Sequence, residues 1–327
     1  MIPQSKRDID MKRYTDTGKK DTRSGFGEGL YEAALKNPDI IAMAADLASS
    51  VKMDKFFKAF PDRFFQCGIA EANMIGVAAG MAVTGKTVFA GSFAEFVTGR
   101  VYDQIRQEVA YGQTNVKIAA SHAGITLGED GATHQTMEDI TLMRALPGMV
   151  VINPCDFNQT KAATIAAAEY TGPVYLRFGR PAVPNFTDPD RKFEIGKAIV
   201  MNEGSDVTVI ATGHLVWEAV KAAEILEAEG ISAEVIDIAT IKPIDRDAIV
   251  ASASKTRAVV CAEEHNMAGG LGELIAGVLA EDCPTRMEFI NGKDRFGQSG
   301  TPSELMAAYG LDAQHIAEAA RRAISKK

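Results

Sequence analysis

The chain has 327 residues, 46% of them hydrophobic and 24% charged, and a formal net charge of −8. This length exceeds one ordinary core and fits two packed α/β domains, and the acidic balance argues against nucleic acid or an anionic membrane as partner, leaving any phosphate ligand to a few local basic groups. Cys67, Cys155, Cys261 and Cys283 stand singly without metal-ligand spacing, as expected for reduced structural thiols in the cytoplasm.

Residues 1–22 are polar, with lysine and arginine interspersed with aspartate, and lack the apolar run of a signal peptide or membrane span; they read as an arm or surface strap. From 23 to 180, strand-like and helix-like patterns alternate. Strands are expected at 40–46, 64–68, 87–93, 116–123, 149–156 and 174–179 with helices between them, the pattern of a doubly wound parallel sheet. Residues 181–195, with Pro181, Pro184 and Pro189, break both periodicities and read as a linker. A second, smaller α/β unit is expected over 196–327, with strands at 207–213, 233–238, 258–263 and 287–290 and helices near 214–229, 269–281 and 312–324.

Two stretches carry chemistry. In Gly68-Ile69-Ala70-Glu71-Ala72-Asn73-Met74-Ile75-Gly76, Glu71 is the only ionisable group among small and apolar residues where a strand gives way to a helix. A glutamate there suits the helix dipole, and a carboxyl in apolar surroundings also suits proton exchange; the residues alone leave both readings open. Further on, Gly128-Glu129-Asp130-Gly131-Ala132-Thr133-His134-Gln135 forms a loop after a strand that ends near His122. Ligands of parallel sheets bind beyond the carboxyl ends of the strands, so His122, Asp130 and His134 can face one pocket.

Gly68-Ile69-Ala70-Glu71 resembles the motif of thiamine-diphosphate enzymes in which a glutamate exchanges a proton with the cofactor aminopyrimidine, and the 128–135 loop resembles the sugar-binding loop of transketolases. Ser92-Phe93-Ala94-Glu95-Phe96 with Tyr102-Asp103-Gln104-Ile105-Arg106 is similar to the transketolase segment whose aromatics clamp that ring, although Gly99 stands where some members have a third aromatic. Thr22-Arg23-Ser24, Ala45-Asp46-Leu47-Ala48-Ser49-Ser50 and Tyr175-Leu176-Arg177-Phe178-Gly179-Arg180-Pro181 resemble the two ends of the family's pyrimidine-binding domain. The second half resembles the transketolase C-terminal domain, including Glu263-Glu264-His265-Asn266 and Gly269-Gly270-Leu271-Gly272, and the glycine-rich turn reads as a helix start and interface element. The resemblance implies Glu71, His122 and His134 as catalytic groups, and Glu71, Phe93, Phe96 and Asp46 as cofactor contacts. It implies Arg23, Ser50, His122, Asp130, His134 and Arg177 as substrate ligands, with Arg23, Ser50 and Arg177 on the phosphate. The implied fold is a thiamine pyrimidine-binding domain over 23–180 followed by a Rossmann-like C-terminal domain over 196–327.

No Gly-Asp-Gly occurs in the chain, so the ligands of diphosphate-bound Mg²⁺ (or Ca²⁺) are expected from another polypeptide. The chain therefore resembles the C-terminal subunit of a split transketolase, binding thiamine diphosphate together with a partner that carries the Gly-Asp-Gly domain, with two copies of each chain. The implied reaction moves a two-carbon ketol unit from a ketose phosphate to an aldose phosphate, the sugars being pentose phosphates or more specialised anionic sugars. Two alternatives stand beside it. The β subunit of a thiamine-dependent 2-oxoacid dehydrogenase has a similar length and glutamate but needs no sugar-hydroxyl ligands, and a non-catalytic subunit retaining the fold would be favoured by loss of Glu71 or the loop histidines, all of which are present.

Overall fold

A computed structural model describes residues 17–327. β1 (Lys19–Asp21) leads into the helix Thr22–Lys36, whose start is fixed by Asp21: its carboxylate accepts the Ser24 amide at 3.0 Å. β2 (Ile40–Ala44), β3 (Phe64–Gln66), β4 (Thr87–Phe93), β5 (Val116–Ser121), β6 (Val150–Ile152) and β7 (Val174–Arg177) then alternate with helices. Except for β3 these strands are buried at every position, as strands covered by helices on both faces must be. After β8 (Ala182–Pro184) come β9 (Ile199–Asn202), β10 (Val207–Ala211), β11 (Ala233–Asp237), β12 (Thr240–Lys242), β13 (Val259–Ala262) and β14 (Met287–Ile290).

The strands form a seven-stranded sheet in the order β12-β6-β7-β5-β4-β2-β3, a five-stranded sheet in the order β14-β13-β10-β11-β9, and a ribbon of β1 with β8. Only β12 in the larger sheet and β9 in the smaller one run antiparallel to their neighbours. The two doubly wound α/β domains expected from the alternating patterns are present.

The differences have physical causes. β2, β3 and β5 stop short of the expected ends because Asp46, Gly68 and His122 follow with φ of 64°, 69° and 61°, a left-handed conformation that ends a strand and turns the chain. β12 belongs to the second half of the sequence yet completes the edge of the first sheet; its three residues are too few to show a period. β9 and the helices Arg246–Thr256 and Pro302–Tyr309 are also unanticipated, although Thr301 and Glu304 form a capping box that the sequence spells out. The segment expected as linker contributes β8, which pairs with β1 so that Lys19 lies opposite Pro184; the end of the expected arm is thus a strap, and residues 1–16 lie outside the described residues.

A polar seam joins the domains. Arg177 closes β7 and is 3% exposed. Its Nε donates to Asp139 Oδ2 at 2.7 Å and its Nη2 to the Glu264 carbonyl at 2.9 Å, while the Tyr175 hydroxyl donates to the same Asp139 oxygen at 2.6 Å. Glu263 accepts the Leu271 and Gly272 amides at 2.7 and 2.8 Å, holding the start of the helix Leu271–Asp282. Next to it, His265 donates from Nδ1 to the Asn266 carbonyl at 2.9 Å and accepts the Thr141 amide on Nε2 at 3.4 Å. Burial pushes that imidazole down to about 4, which keeps the neutral tautomer this pairing needs. The run from Glu263 to Gly272 is therefore both helix start and interface element, as the sequence suggests.

Removing Arg177 leaves the Asp139 carboxylate buried without its cation. Arg177→Met is expected to destabilise the fold by about 3–5 kcal/mol in urea unfolding. A loss below about 1 kcal/mol would show that the seam tolerates an unpaired Asp139.

Candidate active site

The carboxyl ends of β4 and β5 and the start of the helix Glu71–Val83 come together, as the contacts of Glu71, Ser92, Phe93 and His122 show. Glu71, the first residue of that helix, is 3% exposed. Its Oε1 accepts the Ser92 hydroxyl at 3.4 Å, and its Oε2 accepts Arg100 Nη1 at 3.3 Å. Phe93, ending β4, stacks on the His122 ring with centroids 3.7 Å apart and lies 5.7 Å from Phe96. His134 meets Phe96 edge-on at 5.4 Å. Residues from three separate sequence segments thus surround one aromatic slot with a carboxylate at its end.

The loop from His122 to Gln135 is held from both domains. Gly124 has φ 79° and presses on Glu264, where a Cβ would come within 2.3 Å of Oε1; that same oxygen accepts the Thr126 amide at 2.6 Å. The Gln135 side-chain nitrogen lies 3.0 Å from the carbonyls of Ile125, Gly128 and Gln298, so one amide ties the loop to itself and to the second domain. Arg180 Nη1 donates to the Leu127 carbonyl at 2.7 Å and to Glu129 at 2.8 Å. Backbone anchors of this kind fix where the loop side chains point.

The side of this cluster around His122 is cationic. His122 is buried and bonded through Nδ1 to the Ser121 hydroxyl at 2.7 Å; its imidazole is pushed down to about 3, first by burial and then by the charges of Arg23, Arg180, His134 and Lys52. Arg23 is pulled below its ordinary value by burial against the attraction of Asp21, with the Arg180 charge adding to the effect, and its Nη1 donates to the Ser50 carbonyl at 3.0 Å. Arg23 also pairs with Asp21 at 3.3 Å and Arg180 with Glu129 at 2.8 Å, so these cations sit in a local network within a chain of net charge −8.

Of the residues singled out from sequence, the structure brings Glu71, Phe93, Phe96, His122 and His134 together and places Arg23 against Ser50. Asp130 is exposed on the loop, and Asp46 is exposed at the end of β2, its amide donating to Gln66 at 2.6 Å. Arg177 is not at the pocket. It is sealed in the domain seam, its Nε and Nη2 committed to Asp139 and the Glu264 carbonyl. Arg180, three residues on and 39% exposed, is the arginine on the pocket side, and Lys52 joins it; neither was selected from sequence. The available signal was position: Arg177 lies within a strand, paired opposite Ala120, whereas Arg180 follows the strand's carboxyl end.

A buried carboxylate at the end of an aromatic slot fits the aminopyrimidine half of thiamine, and among the described residues no three of His, Cys, Asp and Glu lie close enough to hold a metal ion. This site, on a parallel-sheet domain followed by a second α/β domain, defines the pyrimidine-binding and C-terminal halves of a transketolase-type transferase. Residues 18–185 match the transketolase pyrimidine binding domain and residues 196–316 the transketolase C-terminal domain. A Methanocaldococcus jannaschii protein assigned as a transketolase C-terminal section is 48% identical over 91% of this chain and 95% of its own length. The 6-deoxy-6-sulfo-D-fructose transketolase subunit SqwH of Clostridium sp. (strain MSTE9) is 43% identical over 93% of this chain and 95% of its own. Human transketolase is 36% identical over 93% of this chain but only 49% of its own length. Among solved structures, a split gene transketolase described as an inactive beta4 tetramer superposes with a TM-score of 0.87 at 46% identity, covering 94% of this chain and 99% of that one. The chain belongs to the transketolase family, and its domain content is that of the C-terminal section of a split transketolase.

His122 supplies a direct check on the pocket's dryness. Its ordinary value is 6.5 and its folded value about 3, so between those limits the unfolded chain binds the extra proton, and His122 costs stability as pH falls through that window. Its ring resonances in proton–carbon NMR should stay at neutral-imidazole values from about pH 8 down to about pH 5. A midpoint near 6.5 would mean that water and counter-charge reach the ring.

Proposed function

We propose that this chain, with a partner carrying the diphosphate-binding domain, transfers a two-carbon ketol unit from a ketose phosphate to an aldose phosphate. The single observation that carries this reading is the shared slot in which Glu71, Phe93, Phe96 and His122 meet at one end and the Arg23 and Arg180 cations gather at the other.

Phe93 and Phe96 provide faces for a flat ring, and Glu71 exchanges a proton with the ring nitrogen of the aminopyrimidine. Thiamine diphosphate, when bound, supplies the nucleophilic carbon and the electron sink. His122, neutral at working pH, hydrogen-bonds the oxygen at the reacting end of the sugar, with His134 beside it and Asp130 orienting hydroxyls from the loop. Asp46 at the end of β2 is a further cofactor contact on this reading. Arg23, Ser50 and Arg180 hold the terminal anion, Arg180 taking the role that Arg177 cannot. A relative named for a sulfo-sugar supports a seat built for a terminal anion rather than for one sugar.

Partner dependence is supported by the lack of a Gly-Asp-Gly in these residues and by relatives of matching length named as a transketolase C-terminal section or subunit. A Mg²⁺ (or Ca²⁺) ion would take its ligands from that partner. Self-association is supported by the helix Glu71–Val83, apolar on nearly all sides yet leaving Val77 37% and Val83 78% exposed, and by the similar structure described as a tetramer of one chain type. No helix of the described residues is long and apolar enough to cross a membrane.

Mixing the chain with its diphosphate-domain partner, thiamine diphosphate and Mg²⁺ should give ketol transfer that neither chain shows alone. In the same assay Glu71→Gln should lower turnover by about two to four orders of magnitude with an unchanged melting temperature. Activity of the isolated chain, or near-wild-type turnover by the Gln variant, would reject this mechanism.

Arg180→Ala tests the anion seat separately. Loss of a hydrogen bond to a charged group should raise KM for phosphorylated sugars by about tenfold or more, with little change for unphosphorylated acceptors. Equal losses for both would put the anion elsewhere.

A further inference from the structure

Arg100 has no role in the reading above, yet it holds two of its key groups. Its guanidinium carbon stands 4.0 Å from the centroid of the Phe96 ring, and its Nη1 is 3.3 Å from Glu71 Oε2. The side chain is 49% exposed, at the mouth of the slot, whereas the Glu71 side chain it pairs with is 3% exposed. A planar group with N–H donors therefore stacks on Phe96 and donates to Glu71. Those are the two contacts that an aminopyrimidine in this slot requires.

Chemistry explains why such an occupant is useful. A carboxylate as buried as Glu71 is costly without a hydrogen-bonded partner, and the Ser92 hydroxyl at 3.4 Å is a weak one. An arginine that is half-exposed supplies charge and planarity together, and it can withdraw because about half of its side chain already faces water. The neighbouring Gly99 adds no side chain beside Arg100, and even a Cβ there would meet nothing nearer than Leu142 at 3.9 Å.

We propose that Arg100, which pairs Glu71 and covers Phe96, competes with the aminopyrimidine for these two groups and must swing out before the cofactor binds. The proposal rests on the thiamine reading of the slot. It makes Arg100 a gate on cofactor affinity, not a catalytic residue. A half-exposed ion pair and one cation–π contact are each worth little, so the gate weakens and slows binding without preventing it.

The test measures thiamine diphosphate binding in the presence of Mg²⁺, by calorimetry for affinity and by stopped-flow fluorescence for association rate, on the complex of this chain with its diphosphate-domain partner. Arg100→Ala should tighten binding by about fivefold to thirtyfold and speed association. Arg100→Lys should fall between Arg100→Ala and the wild type, because an ammonium keeps the charge toward Glu71 but cannot stack as a plane. Melting curves confirm that the variants are folded. Equal or weaker binding by Arg100→Ala overturns the proposal while leaving the cofactor reading intact, since Arg100 would then be a bystander or a cofactor ligand. A wild-type complex that binds no thiamine diphosphate overturns the proposal and the cofactor reading together.

Discussion

Burying the Arg177–Asp139 pair takes two charges out of water, and their mutual attraction alone does not offset that cost. The seam tolerates it because the surrounding groups complete the hydrogen bonding: the Tyr175 hydroxyl donates to Asp139, and the Glu264 carbonyl accepts from Arg177. The geometry is available only when β7, the segment that carries Asp139, and the turn after β13 are all in place. The pair therefore couples correct docking of the two domains to the folding of each. The same turn presents the Glu264 carboxylate to the Thr126 amide, so the register of the domain interface is transmitted directly to the loop that carries the candidate sugar ligands.

Strand ends do the corresponding work on the other side of the pocket. β4 delivers Phe93, β5 delivers His122, and the turn after β3 delivers Glu71 at a helix start. The left-handed residues Asp46, Gly68 and His122 turn the chain away from the sheet at the same level, so the ends line a common rim. A rigid parallel sheet below and loops anchored by Gln135, Arg180 and Glu264 above hold the backbone that carries these side chains.

The pocket is polarised along its length. Its carboxylate and aromatic end suits a flat, weakly basic ring, and its arginine end suits a terminal anion. Between them His122 is neutral because burial and the neighbouring cations oppose a further positive charge. The proposed anion seat in a chain with a net charge of −8 thus depends on local arrangement, against the overall field.

The local chemistry was legible in the residue order. Alternating strand and helix patterns gave two parallel-sheet domains, the lone acid in an apolar run marked Glu71, and the glycine-rich acidic loop marked His122, Asp130 and His134, because periodicity and composition are properties of neighbouring residues. Arg177 and Arg180 differed only in their position relative to a strand end, and residue type did not say which of them is sealed in. Three residues apart, both look like cations near the end of one strand, yet one is sealed against a carboxylate from another segment and the other lines the pocket. The attachment of β12 to the first sheet, the joining of β1 to β8, and the placement of Arg100 over Phe96 and Glu71 are likewise pairings between positions distant in sequence or set by side-chain direction. Sequence alone determined which elements form and which residue types are available for chemistry; tertiary structure decided which charges are buried as partners and which face a ligand, because burial depends on what the rest of the chain packs against each group.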